Sequence, residues 1–328
     1  MTIREPGSRP ATTPSFGAPL FARATPGYRK MAAGLLGQPL LPREVSAALS
    51  RRAIIEREPF ALAKLGPAML AVLYLLAQDR WLASSEAGRI IHYNGHNQNG
   101  LFPADARAWQ TFARRYREAV SQVDIATAQL HLSPIEVATI RELAPQRLTY
   151  FLDAEPDRSI PDRPEQCFLS ALRDRRVLIV CPFARLLAER ADRATFEAVW
   201  ARTGKRWFEP ATVDALEFPY GFEPETERIF GNIDALLQHI CDRVDARDFD
   251  VALIGAAGLA MPIAAHVKRR GRVAIDLGGH IQVLFGVKGK RWRNDPEWTG
   301  QYFNDAWIDM PTRYIPTRAD VCDCGAYW

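Results

Sequence analysis

The sequence predicts an α/β protein: a mostly parallel sheet with helices on both faces. Three observations carry the prediction. Apolar runs of strand length recur at residues 60–65, 176–181, 251–254 and 272–277. Glycine or proline follows them, at Gly66-Pro67, Pro182, Gly255 and Gly278-Gly279, and segments with helical spacing come next. Last, residues 250–292 read as strand (251–254), Gly255, helix (261–270), Gly271 and strand (272–277). That is a βαβ unit, whose crossover is almost always right-handed. Strands that alternate with helices in this way build parallel sheets buried on both faces. Ligands of such sheets sit outside the carboxyl ends of the strands. Here those ends carry Gly255–Gly258 and Gly278–His280, which places the candidate site there.

Composition sets limits. The chain is long enough for one large α/β domain or two modest ones. Residues 1–27 are rich in Pro, Gly, Ser and Thr without apolar periodicity and read as a flexible tail. Residues 28–328 read as a single α/β domain, with a candidate internal boundary at 153–166, where proline and acidic residues gather. The end, 293–328, reads as irregular and aromatic (Trp298, Tyr302, Trp307, Trp328). A net charge of only +4, carried mostly by arginine, gives no reason to expect a nucleic-acid partner. The longest apolar run, 65–77, is too short to span a bilayer, which takes about 20 residues, so no transmembrane segment is expected. The first ten residues lack the apolar core of a signal peptide. Cys167, Cys181, Cys241, Cys322 and Cys324 match neither a disulfide framework nor a zinc spacing. A reducing cytoplasm is the expected location.

Taken in order, a helix is expected over 41–58, the strand 60–65, the Gly66-Pro67 turn and an apolar helix over 68–79. A loop dense in polar groups follows at 92–100. Pro103 then starts an amphipathic helix, with Trp109, Phe112, Tyr116, Ala119 and Val123 on one face. A short helix is expected from Pro134 to Leu143. The strand 176–181 leads into one helix to about Trp200, and a strand over 212–218 precedes one long helix over 225–244. There is no internal repeat.

The run 249–292, FDVALIGAAGLAMPIAAHVKRRGRVAIDLGGHIQVLFGVKGKRW, resembles the C-terminal signature of bacterial glycosyltransferase-like proteins of the GT-D fold type. RVLIVCPFARLL (176–187), Asn99-Gly100-Leu101-Phe102-Pro103, the segment 302–307 and the closing Tyr327-Trp328 resemble further family positions in the same order. The similarity runs from about residue 45 to the end and is specific around 250–292. It implies a Rossmann-like fold and a hexosyltransferase-like activity in polysaccharide or glycoprotein assembly. The implied partners are a nucleotide-sugar donor and a glycan or other acceptor; a homo-oligomer is left open. The sequence also departs from the family. Where that fold type carries Arg-(Ile/Phe)-Gly-Asp-Gly-Glu, this chain has Lys64-Leu65-Gly66-Pro67-Ala68-Met69. Pro67 and Met69 cannot supply the oxygen ligands that Mg²⁺ or Mn²⁺ prefers. No cofactor or metal site is therefore expected, and the diphosphate needs fixed cations instead.

Lys64, Lys288, Lys290 and Arg291 are the candidate phosphate contacts, although a basic turn on the surface would read the same. Gly66, Gly255, Gly258, Gly278 and Gly279 are candidates for close backbone approach to the donor; packing of strand on helix explains such glycines equally well. Asp276 lies about 20 residues beyond the Gly255 turn, where dinucleotide folds place a ribose ligand, so a nicotinamide enzyme is a third reading. Asn94, Asn99 and Gln282 are candidates for sugar or base hydrogen bonds. His280, Asp276, Asp124 and Glu217 are the candidate acid–base groups. A noncatalytic sugar-nucleotide binder of the same fold remains the alternative to a transferase.

Overall fold

The structure is a computed structural model that describes residues 25–78, 86–154, 156, 167–205 and 208–328. The tail expected at 1–27 lies outside these residues but for its last three positions. The boundary expected at 153–166 lies outside them but for 153, 154 and 156.

The fold is Rossmann-like α/β. Eight strands form one sheet: β1 Leu40–Leu41, β2 Phe60–Leu65, β3 Ile125–Ala128, β4 Leu148–Tyr150, β5 Arg176–Val180, β6 Thr212–Leu216, β7 Val251–Ile254 and β8 Val273–Asp276. Their order is β1-β4-β3-β2-β8-β7-β5-β6, and every neighbouring pair is parallel. Early strands thus lie on one side of β2 and late strands on the other. At the centre Phe60 pairs with Val273 and Leu62 with Ile275.

Residue type explains most of the elements. The run Val-Ala-Leu-Ile of β7 is buried throughout, as a strand covered on both faces must be. Gly66 caps the helix Pro67–Ala77 and Pro67 takes its first position, where the missing N–H costs nothing. The amphipathic helix Ala106–Gln122 starts where Asp105 accepts from Ala108 N–H at 2.9 Å, and it buries Trp109, Phe112, Ala113 and Tyr116. Two hydrophobic layers cover the sheet. One holds the helices Pro67–Ala77, Ala106–Gln122 and Ala260–Arg269; the other holds His280–Leu284 together with the aromatic residues after Trp292.

Several expectations change. The helix expected to reach Trp200 is two, Ala184–Glu189 and Arg193–Val199, because Asp192 caps the second by accepting from Thr195 N–H at 2.9 Å. The helix expected over 225–244 breaks at Gly231, whose φ is 72°, and Asn232 caps its second half. The polar stretch 92–100 is not a loop: the helix Glu86–His92 runs on through a π-helical turn, Tyr93–Gln98. The helix Pro26–Leu36 and the strands β1, β3 and β4 were not foreseen. Among the described residues no helix is long and apolar enough to cross a membrane.

Adjacent strands β2 and β8 send their chains to opposite layers. Met69 and Leu70, after β2, join one core; Ile281 and Val283, after β8, join the other. The divergence opens a crevice at the carboxyl edge of the sheet, the position where ligands of open α/β sheets bind.

Candidate functional site

A cavity of about 750 Å³ fills this crevice. Its floor is built from the ends of β2 (Lys64, Leu65), β3 (Thr127) and β8 (Asp276). The turns Gly255–Leu259 and Gly278–Ile281 close one side, and the aromatic residues Tyr220, Phe222, Trp292, Tyr327 and Trp328 form the far wall. The volume suits a small ligand with several polar groups.

The floor is held by one carboxylate. Asp276 is 2% exposed, and its two oxygens accept from the backbone N–H groups of Lys64 (2.9 Å) and Gly278 (2.8 Å). It staples β2 to the turn after β8. The Lys64 ammonium donates to the Leu277 carbonyl at 2.7 Å and lies 5.9 Å from the Phe151 ring centre. The Tyr116 hydroxyl, beneath them, donates to the Lys64 carbonyl at 3.3 Å; burial and the nearby Asp276 push its pKa well up, so it stays protonated.

The glycines divide into two kinds. A Cβ on Gly255 would meet Ile281 Cγ2 at 2.7 Å, one on Gly258 would meet Asn99 Cβ at 2.9 Å, and one on Gly279 would strike the Tyr327 ring. Gly278 has φ 53°, a left-handed backbone that favours glycine. Protein atoms, not a ligand, fill the space these four leave, so packing accounts for them. Gly66 differs: its φ of −68° suits any residue, and nothing lies within 4 Å of its missing Cβ. Beside the cavity it leaves open space.

Arg291 lines the cavity with its guanidinium 5.0 Å from the Tyr327 ring centre and 5.8 Å from that of Trp292. His280 lines it too, edge-on to Trp292 with ring centres 5.9 Å apart. Burial raises the Cys322 thiol in the same wall to about 11. Ala257, in the turn after β7, has φ 45°, a strained value for a residue with a Cβ.

The cavity lining thus brings together Lys64, Gly66, Asn99, Gly255, Gly258, Asp276, Gly278, Gly279, His280 and Arg291. Six candidates from the sequence lie outside it. Asp124 sits at the opposite, amino-terminal edge of the sheet, where it accepts from Ala61 N–H and pairs with Lys268, both at 2.9 Å. Glu217 accepts from Arg185 N–H at 3.0 Å, beyond the end of β6. The Asn94 carbonyl accepts from the Asn99 amide at 2.6 Å, so Asn94 supports that residue from outside. Gln282 is fully buried, and its amide donates to the Tyr327 carbonyl at 3.2 Å, tying the C-terminal segment in place. Lys288 belongs to a two-stranded ladder, β9 Val287–Lys288 with β10 Ile308–Asp309, where its ammonium is 3.9 Å from Asp309. Lys290 donates to the Cys324 carbonyl at 3.3 Å. Asp276, with each oxygen accepting from a backbone N–H group, is a structural staple on the cavity floor.

Sequence reasoning missed Thr127, Gln129 and His131, which line the cavity from β3 and the chain beyond it. It also missed the aromatic wall, although the density of Trp and Tyr after residue 291 was a signal.

No family model matches the chain, and no curated protein does. Two solved structures are similar to it. One is a selenomethionine-substituted form of domain of unknown function 1792, at 13% identity over 86% of this chain and 99% of that one, with a TM-score of 0.41. The other, at 14% identity over 89% of this chain and 100% of that one with a TM-score of 0.40, is described as domain of unknown function 1792 with a distinct glycosyltransferase fold.

Proposed function

We propose that the cavity binds a nucleotide-activated sugar and that the protein is a glycosyltransferase that passes the sugar to an acceptor hydroxyl. The observation that carries this reading is the placement of two cations, Lys64 and Arg291, on a cavity at the carboxyl edge of a parallel sheet, with open space at Gly66 between strand and helix. The motif resemblance over 249–292 agrees with it. The Lys64 ammonium and Arg291 guanidinium supply fixed positive charge for the diphosphate as it departs. The aromatic wall offers stacking faces for a base. His280 is the group to accept the acceptor's proton, since an imidazole exchanges protons near neutral pH.

The residues after β2 do not fit a divalent metal. Pro67 and Met69 carry no side-chain oxygen, and both oxygens of Asp276 accept from backbone N–H groups. Among the described residues no group of three or more His, Cys, Asp or Glu side chains could hold one. The same observation favours a second reading, a noncatalytic binder of the same ligands.

Thermal shift with UDP-, GDP-, CMP- and dinucleotide-linked ligands tests the binding. A ligand at a hundred times its Kd stabilises by about 2.7 kcal/mol, which raises Tm on the order of 5 °C. Arg291→Gln should abolish that shift. Failure of every nucleotide sugar to shift the melt would overturn the proposal. Donor hydrolysis without added metal separates the transferase from the silent binder.

A further inference from the structure

The cavity has a second polar wall. Thr127, Gln129 and His131 line it, while Ala128 and Leu130 between them belong to the buried core. Strand β3 ends at Ala128, yet Gln129 and His131 both reach the cavity. The backbone explains this. Leu130 and Leu132 lie in the left-handed region, with φ of 55° and 56°. That conformation is costly for leucine and persists only where neighbours enforce it. Two neighbours do. The Tyr28 hydroxyl donates to the Leu130 carbonyl at 2.7 Å, and Leu132 N–H donates to Glu136 Oε2 at 2.6 Å. Glu136 is fixed in turn by its own N–H, which donates to Ser133 Oγ at 3.1 Å where the helix Pro134–Leu143 begins. This strained, doubly anchored turn presents an amide and an imidazole to the cavity, with Gln129 Oε1 and His131 Nε2 2.6 Å apart.

Thr127 adds the second observation. It is fully buried, it lines the cavity, and its hydroxyl has no hydrogen-bond partner among the described residues. A buried hydroxyl left without a partner is destabilising and uncommon. In the sheet Thr127 stands directly beside Lys64.

Building on the nucleotide-sugar reading of the cavity, we infer that Thr127, Gln129 and His131 form the subsite for the donor's sugar and select a hydroxyl-rich hexose. A hydroxyl and an amide each donate and accept, and an imidazole adds a ring N–H or ring nitrogen, as sugar hydroxyls require. Thr127 lies next to Lys64, the group assigned to the diphosphate, on the side where the sugar joined to that diphosphate must be. The aromatic wall is then left to the base.

The test uses pairs of ligands on the full chain: UDP-glucose with UDP, GDP-mannose with GDP, and dTDP-glucose with dTDP, measured by calorimetric titration. Thr127→Val removes the hydroxyl and keeps the shape. It should weaken the nucleotide sugar about tenfold, the worth of one hydrogen bond, and leave the free nucleotide unchanged. Its Tm should stay level or rise, because the unpartnered hydroxyl is gone. Gln129→Leu should show the same selective loss, and Thr127→Ser should bind as the parent does. Equal loss for sugar and nucleotide, no loss for either, or a lower Tm in Thr127→Val would each overturn the inference while leaving the cavity's role intact. If no pair binds the parent protein, the nucleotide-sugar reading itself fails, and the subsite with it.

Discussion

Replacing Gly66 by valine should leave the protein folded and obstruct its cavity. The backbone there has φ −68° and ψ 135°, open to any residue, and no heavy atom lies within 4 Å of the missing Cβ. A side chain here gains roughly 0.4–1 kcal/mol because the unfolded chain loses freedom, but Gly66 is also the N-cap of the helix Pro67–Ala77, a position that favours Gly over Val, so the two terms largely offset. For a protein of this size 1 kcal/mol moves Tm by about 1.5 °C, so Tm should stay within about 2 °C of the parent's. The ligand, by contrast, would meet the new methyl groups. Overpacking of this kind costs roughly 1–3 kcal/mol, equivalent to a 5- to 150-fold loss of affinity at about 1.4 kcal/mol per tenfold. Gly278→Ala is the control with the opposite signature: at φ 53° it should lose about 1–2 kcal/mol of stability. Melting curves and calorimetric titration of the best-binding nucleotide sugar read both effects. A Gly66→Val protein that binds as tightly as the parent would refute the idea that the ligand lies against the end of β2. One that fails to fold would refute the claim that the space is open.

Asp276→Asn should destabilise by about 1.5–3 kcal/mol in urea, because one of two charge-assisted bonds to backbone N–H becomes a clash of donors; an unchanged midpoint would remove its role as a staple. Ala144→Gly should raise Tm, by about 1 kcal/mol of stability, since this exposed helix C-cap has φ 42°; a fall would mean the cap is not left-handed in solution. Burial raises the thiols of Cys322 to about 11 and Cys241 to about 12, against about 8.5 in an unfolded chain. The folded state holds these protons more tightly, so the contribution is whole below about pH 8.5 and is lost as pH rises toward the folded values. Urea midpoints should therefore fall across that alkaline window, and fall less steeply in a Cys241→Ala, Cys322→Ala protein, where the buried Cys181, Tyr116 and Tyr220 still hold their protons more tightly than the unfolded chain does.

Much of the sheet was legible because its central strands are short apolar runs closed by glycine or proline. The run Val251–Ile254 sits between Asp250 and Gly255, and Phe60–Leu65 before Gly66-Pro67; each is a strand with those bounds. The strands Ile125-Ala-Thr-Ala and Leu148-Thr-Tyr carry no such run, and only pairing, of β3 with β2 and of β4 with β3, makes them strands. With β3 unseen, half of the cavity was unseen: Thr127, Gln129 and His131 have no meaning as a group until Lys64 and Thr127 are neighbours. The basic cluster failed for a different reason. Lys288, Lys290 and Arg291 are close in sequence, but the ladder at 287–288 and the single helical turn Lys290–Arg293 aim them apart, and only Arg291 borders the cavity. Asp124 and Glu217 were legible as carboxylates but not as partners of Lys268 and Arg185, since such pairing depends on elements far apart in the chain.

Joining β2 to β8 has a cost during synthesis. The bond from Lys64 N–H to Asp276 spans 212 positions, so the middle of the sheet closes only when nearly the whole chain is available. Contacts so distant along the chain slow folding. Until residues 273–276 emerge from the ribosome, the apolar strand Phe60–Leu65 keeps one edge of its backbone unpaired, ready to recruit a strand from another molecule. A nascent chain halted before Val273 should therefore aggregate, and a chaperone that shields that edge would be most needed in the interval before β8 arrives.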